Sequence, residues 1–477
     1  MKKHLALMIA TLLASSSMVG CGGIGSGAGG TEGDLSVMVY AAGYGMEWVD
    51  EAIRIYNEDH PDVTVSAEGD PLAFDSIKTQ LENENCPYDV ILVSSAYYDQ
   101  FVANGLLLSL DSVYASTIPG TEKTVADVVN KQIQQANTIN GSIYGVPWQQ
   151  NNGSGLIYNV EMFAQYGWDK DMPETMDELW ALCDKIEQDT KGRVAPITFG
   201  GADGNGYLNY NTCQWLCEYY GYDAMIDFLK LESLDVFINQ KEGRNKVYET
   251  LAKLMMGETS SGGKIALEGS IGATAITAQT NFVNGAAAMM ICGQWFPTEM
   301  QPYTDLTQFK SGYLPMPHIN ADKKSGDGTI DTSNVRFSTD GNFMAIPSTA
   351  KNPELAKDFL TYMFTEKSYT SFVKANNGLL RPVEGIAVDT SEFDDFTKQA
   401  YDYFSAGGNA QTVYQISENG EIEKGTVAMF QAHKGAFISV ITSKGTWEGA
   451  LAAAKGCYAS EISTLTAQWD AENKKWN

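Results

Sequence analysis

Between residues 34 and 95 the chain switches repeatedly between short apolar runs of strand length and amphipathic stretches of helix length. DLSVMVYAAGYG (34–45) reads as a buried strand entering a small-residue loop. The stretch 46–60 then places apolar residues at Trp48, Val49, Ala52, Ile53 and Tyr56, the spacing of one helix face, and Pro61 stops it. VTVSA (63–67) reads as a second strand, 74–84 as a helix, and YDVILVSS (88–95) as a third strand ending in hydroxyls. This alternation predicts an α/β layered fold with a largely parallel sheet. Ligands of such sheets sit at the carboxyl ends of the strands. Two loops are therefore singled out: 41–45 with Tyr44, and 94–98 with Ser94, Ser95 and Tyr97.

Further along, the stretch 141–163 (GSIYGVPWQQNNGSGLIYNVEMF) is a composition shift, with an aromatic, four consecutive amides and then a buried apolar run. A helix is predicted over 175–187, with Thr175 as N-cap and Glu178 three residues on, the capping-box spacing. Residues 209–256 are almost wholly helical in pattern, and Trp215 lies on a stripe with Leu216 and Tyr219 that reads as core. NFVNGAAAMMICGQWFP (281–297) reads as a helix end, a turn and a buried strand closing on Gly293-Gln294-Trp295. The polar tract 320–334 reads as a hairpin or loop, and 343–365 as a strand, an Asn352-Pro353 turn and an amphipathic helix.

The first residues address the compartment. Lys2 and Lys3 precede a short apolar run over 5–13, and small residues lead to Cys21. This is the layout of an export signal over 1–20, too short to span a bilayer. The residues before Cys21 resemble a bacterial lipobox, which implies a lipidated Cys21. Two acyl chains, at about 0.8 kcal/mol per buried CH₂, hold such a protein without a transmembrane helix. Residues 21–34 are dominated by glycine and serine and read as a flexible tether. The expected location is the outer face of the cytoplasmic membrane, lipid-anchored.

The formal net charge of −27 argues against nucleic-acid or anionic-lipid binding, which require a basic footprint. No C-x-x-C pair is present, and the four histidines are far apart, so no metal site and no cofactor are expected. The cysteines after Cys21 are read as buried free thiols, with a disulfide or two as the alternative. Asp203-Gly204-Asn205-Gly206 and Asp327-Gly328 are read as turns, since neither completes a calcium loop.

Four spaced blocks carry a wider resemblance. Tyr88-Asp89-Val90 is followed by Asn104-Gly105-Leu106 and Leu110-Asp111. Asn140-Gly141 leads into Tyr144-Gly145-Val146-Pro147, Tyr158-Asn159, Phe163, Gly167, Pro173-Glu174-Thr175 and Glu178-Leu179. Asn284-Gly285-Ala286-Ala287-Ala288-Met289 precedes Gly293 and Trp295, and Ile346-Pro347 precedes Asn352-Pro353-Glu354, Ala356 and Phe359-Leu360. In this order, over about 35–390, the chain resembles the family 1 extracellular solute-binding proteins of ABC importers, the maltose-binding-protein group. The resemblance implies a two-lobed α/β fold of class II type with a cleft between lobes joined by hinge strands. It places crossings near Val146-Pro147, Asp340-Gly341 and 378–381. One lobe then holds 35–145 and 342–376, the other 148–339 and 383–477. The implied partners are a carbohydrate ligand, the permease transmembrane subunits and the membrane through the anchor. The protein is expected to be a monomer without enzyme activity.

A sugar has weakly polar C–H faces and a rim of hydroxyls, so its site needs aromatic plates and short planar polar groups. Trp148 with Gln149, Gln150, Asn151 and Asn152 offers both in one loop; core packing is the rival reading for the tryptophan. Trp295 stands where the resemblance places a sugar-stacking aromatic. Asp340 at a crossing suits bidentate hydroxyl bonds, or a turn. Arg381 suits a hydroxyl, an acetamido oxygen or a carboxylate, with an inter-lobe salt bridge as its equal rival. Two other functions stay open at this point: a lipid-anchored glycoside hydrolase, which needs two carboxylates about 5–10 Å apart, and a binding protein for a polyamine or peptide.

Overall fold

The structure, a computed structural model, describes residues 33–150, 153–203, 207–233, 235–236, 241–303, 305–306, 308–338, 341–414 and 438–476. Thirteen strands are found among them: β1 Gly33–Tyr40, β2 Val63–Asp70, β3 Val90–Val93, β4 Thr138–Ile139, β5 Ser142–Ile143, β6 Gly145–Pro147, β7 Gly155–Asn159, β8 Ala195–Thr198, β9 Ala287–Cys292, β10 Ser311–Leu314, β11 Val335–Ser338, β12 Phe343–Ala345 and β13 Gln411–Tyr414.

The first sheet has the order β2-β1-β3-β12-β6. Here β1 runs parallel to β2 and β3, whereas β12 runs antiparallel to both β3 and β6. The second sheet has the order β10-β7-β9-β8, in which only β8 and β9 are parallel. The expectation of a largely parallel sheet is thus corrected to two mixed sheets. The reason is topological: chain that leaves one sheet and re-enters from the other arrives in the opposite sense to strands joined by crossover helices.

Pleating explains how the apolar runs are used. Leu35, Val37, Val39, Val90 and Leu92 point to one face of the first sheet, where they meet Trp48, Ile55 and Tyr56 of helix Glu47–Asp59. Met38, Ile91 and Val93 point to the other face and meet Ile77 and Leu81 of helix Ala73–Glu82. Asp89 fastens the edge of this layer. Its carboxylate accepts from the Ser36 N–H at 3.0 Å, the Ser36 hydroxyl at 2.8 Å, and the Lys351 and Asn352 N–H groups at 2.8 and 2.9 Å. It thereby ties β1 to the start of helix Pro353–Tyr362.

The second sheet is covered by helix Met176–Thr190, whose capping box forms as the spacing predicts. Glu178 accepts from the Glu174 and Thr175 N–H groups, both at 2.9 Å, and the Glu174 bond leads in holding its carboxyl below the usual range. The stretch 209–256 resolves into Leu208–Tyr220, Tyr222–Leu229 and Lys241–Met256, with Trp215 fully buried as expected. Helix Trp447–Trp476 closes this layer, stacking Trp469 on Phe228. Cys86, Cys183, Cys213, Cys217 and Cys292 are buried free thiols. Asp327 binds the Ser325 and Thr329 hydroxyls in a turn, as read; 204–206 lie outside the described residues.

Register fixes which strand ends share a side within each sheet. Phe343 pairs with both Val93 and Pro147, so β3, β6 and their neighbour β1 deliver their carboxyl ends to one side. Gly155 pairs with Cys292, which brings the start of β7 beside the end of β9. Just past β6 the Trp148 N–H donates to the Asn342 carbonyl at 2.9 Å. A Cβ on Gly341 would stand 2.3 Å from the Gln149 carbonyl, so only glycine admits this close approach. None of the described helices is long and apolar enough to cross a membrane.

Candidate functional site

Where the two strand-end edges face each other, aromatic rings meet across the gap. Tyr44, in the loop after β1, lies 6.3 Å from Trp295 and 5.1 Å from Trp148, edge-on to both. Trp295, just past β9, lies 5.1 Å from Tyr207, again edge-on. Trp295 is held in place by its own backbone: a Cβ on Gly293 would fall 2.0 Å from the indole ring. Glycine lets the ring fold back there.

Glu299 completes the mounting. Its carboxylate accepts hydrogen bonds from the Trp295 indole and the Gln279 amide. Burial raises its pKa and the nearby Asp203 adds to this, while the two hydrogen bonds oppose the rise. The folded state therefore holds the Glu299 proton more tightly than the unfolded chain. The stability this contributes is fully present below the usual value of 4.5 and is lost as pH rises through the raised folded value. Glu299→Gln, which does not titrate, is expected to flatten the fall in melting temperature above pH 4.5. Parallel pH slopes for the two proteins would refute that assignment.

Two buried glutamines stand next to the tryptophans in sequence. Gln149 and Gln294 are both buried, and neither Oε1 receives a hydrogen bond among the described residues. Asn377 donates to the Thr298 hydroxyl at 3.0 Å, and Gly45 lies against the same threonine. Tyr207 and Asn377 were not anticipated from sequence. The only hint at Asn377 was its place before the crossing glycine, and nothing local marked Tyr207.

Other candidate residues sit elsewhere. Trp148 has 0% exposure and packs against Trp48, Phe372 and Tyr44, the core packing named as the rival reading for this ring. Ser94 and Tyr97 line a separate hollow of about 260 Å³ with the stacked pair Tyr40 and Phe74; Ser95 starts the adjoining helix. Ser94 caps that helix through the Ala96 N–H, and the Tyr97 hydroxyl binds Asp75. Arg381 is buried and makes no salt bridge among the described residues; it lines a cavity of about 690 Å³ with Gln150. Asn151, Asn152, Asp340 and Cys21 lie outside the described residues. The larger cavity is not where the tryptophans meet. Tyr44 and Trp295 are the two candidate residues whose rings the structure brings together. Among the described residues no cluster of three or more His, Cys, Asp or Glu side chains is arranged to hold a metal.

Against known proteins, the family model described as bacterial extracellular solute-binding protein matches residues 41–370. No curated protein matches the chain. Among solved structures, a chitin oligosaccharide binding protein is 16% identical, with 92% of this chain and 99% of that one covered and a TM-score of 0.59. RafE in complex with raffinose is 17% identical, covering 90% of this chain and 99% of that one, with a TM-score of 0.58. Maltose-bound MalE3 of T. maritima is 18% identical, covering 91% and 100%, with a TM-score of 0.58. At these identities the likeness is one of fold, the two-lobed arrangement with a cleft between lobes.

Proposed function

The chain belongs to the bacterial extracellular solute-binding proteins, and on that premise we propose that it captures a carbohydrate, an oligosaccharide in particular, between its lobes and delivers it to an ABC permease. The reading divides the chain into one lobe of 35–145 with 342–376 and another of 148–339 with 383–477. It adds a lipid anchor at Cys21 beyond a cleaved signal, and no catalytic step. One observation carries the ligand class: Tyr44 from one side and Trp295 with Tyr207 from the other form a ring cluster, and the buried Gln149 and Gln294, next to Trp148 and Trp295 in sequence, keep amide oxygens with no donor among the described residues. Aromatic faces suit the C–H surfaces of a sugar, and lone acceptors suit its hydroxyls.

Function follows from a hinge. Opening at the crossings draws Tyr44 away from Trp295, and a sugar entering between them replaces ring-on-ring contact with ring-on-sugar contact. Closure then presents both lobes together to the permease, and the ligand shifts the equilibrium by its greater affinity for the closed form. A tether at the membrane raises the local concentration of loaded protein.

The test is a thermal-shift panel of neutral mono- and oligosaccharides on the chain carrying Cys21→Ser, with polyamines, peptides and a chromogenic glycoside alongside. A ligand at 100 times its Kd stabilises the fold by about 2.7 kcal/mol. Silence from every saccharide with a shift from a polyamine or peptide would overturn the ligand class. Turnover of the glycoside would overturn the absence of catalysis.

A further inference from the structure

After helix Glu366–Ala375 the chain places two left-handed residues in a row, Asn377 at φ +52° and Gly378 at φ +91°. Asparagine is one of the few side chains that sits there at low cost. Gly378 is required in its own place. A Cβ there would stand 2.8 Å from the Tyr401 nitrogen and 2.9 Å from the Thr397 carbonyl oxygen, both on helix Asp395–Ser405. From this fixed turn the Asn377 Nδ2 donates to the Thr298 hydroxyl at 3.0 Å, and both residues are half-buried. Thr298 lies on helix Phe296–Met300, which starts at Trp295 as its N-cap. Its methyl group faces the loop after β1, where a Cβ on Gly45 would stand 3.0 Å away. In the lobe division above, Gly45 belongs to the first lobe, Asn377 directly follows that lobe's segment 342–376, and Thr298 belongs to the second.

The neighbours of this hydrogen bond are the two rings of the candidate site. Tyr44 precedes Gly45, Trp295 precedes the helix of Thr298, and their centres lie 6.3 Å apart at 67°. That is direct ring contact. A sugar ring cannot lie between two rings that already touch, so this arrangement and solute capture exclude one another. Any bond that stabilises the contact therefore opposes binding. We propose that the Asn377–Thr298 hydrogen bond is an autoinhibitory latch, holding Tyr44 against Trp295 until an entering solute breaks it; this rests on the cleft reading above. The chain then exchanges between a latched and a receptive form. Its apparent Kd is the intrinsic Kd divided by the receptive fraction. A half-buried neutral hydrogen bond shifts such an equilibrium by about fivefold. Loss of the latch thus tightens binding, the opposite of what loss of a solute contact does.

Two variants test it on the chain carrying Cys21→Ser. Thr298→Val keeps a methyl against Gly45 and removes only the hydroxyl. Asn377→Gly suits the left-handed backbone and removes only the amide. Small-angle X-ray scattering without any saccharide is expected to give both variants a larger radius of gyration than the parent chain. Titration calorimetry and stopped-flow binding with raffinose, maltose and a chitin oligosaccharide as probes are expected to give a Kd about fivefold lower, the gain appearing in the association rate. The double variant should gain no more than either single one, because both remove the same bond. Asn377→Asp, whose carboxylate accepts from the Thr298 hydroxyl, is expected to restore parental scattering. Weaker saccharide binding in the variants makes Asn377 and Thr298 solute contacts and overturns the latch. An unchanged Kd overturns it as well, and either result leaves the carbohydrate reading standing. A larger radius of gyration in the variants, with no saccharide bound by any of the proteins, upholds the latch and counts against the carbohydrate reading. Should Asn377→Gly fail to fold, Thr298→Val decides alone.

Discussion

Trp295→Ala is expected to weaken saccharide binding by about 2–4 kcal/mol, roughly 30- to 1,000-fold in Kd. The estimate is for truncating a central aromatic anchor in a desolvated pocket. Trp295 fits that description: it is 7% exposed, contacts Tyr44 across the cleft and Tyr207 beside it, and is oriented by Gly293 and Glu299. Trp295→Phe keeps a plate but loses the indole N–H and part of the area, so it should fall between the two. Titration calorimetry with the best ligand of the panel measures all three proteins. A Kd within threefold of native for Trp295→Ala, in a protein that still melts cooperatively, would remove Trp295 from the site.

Trp148→Ala should act on stability instead, lowering it by about 3–5 kcal/mol, the usual range for emptying a large buried aromatic. The ring is wholly buried among Tyr44, Trp48 and Phe372, contributed by two widely separated stretches of chain, so no single neighbour can move in to fill the space. A drop in melting temperature on the order of 10 °C follows. Chemical denaturation with the midpoint and slope fitted separately checks it. Near-native stability with ligand binding lost would reverse the assignment and return Trp148 to the ligand face. Together the two variants test separately two rings that sequence alone placed side by side.

The strand-and-helix order of the first sheet was legible because each element carries its own signal. Alternation at Leu35, Val37 and Val39 marks a strand, and the stripe through Trp48, Ala52 and Tyr56 marks a helix. The Thr175–Glu178 capping box was legible for the same reason, since donor and acceptor lie three residues apart. The spaced blocks also point to the family, and the match over 41–370 agrees with them.

Strand direction was not legible to the same degree. β12 lies between β3 and β6 through pairings with Val93 and Pro147, residues roughly 200 to 250 positions away, and no local pattern reports a partner so distant. The binding face was likewise a matter of long-range packing. Trp148 and Trp295 look alike as residues, but one crossing turns a ring onto Phe372 while a glycine lets the other fold toward Tyr44. Tyr207 and Asn377 entered the site by the same route, brought in by folding and unmarked in the chain. Arg381 shows the division most plainly. Sequence could name its charge; only the fold decides that it is buried against Phe372 and that no carboxylate of the described chain pairs with it. Local chemistry is written along the backbone at separations of two to four residues. Accessibility and partnership are set by which distant surfaces the core brings together.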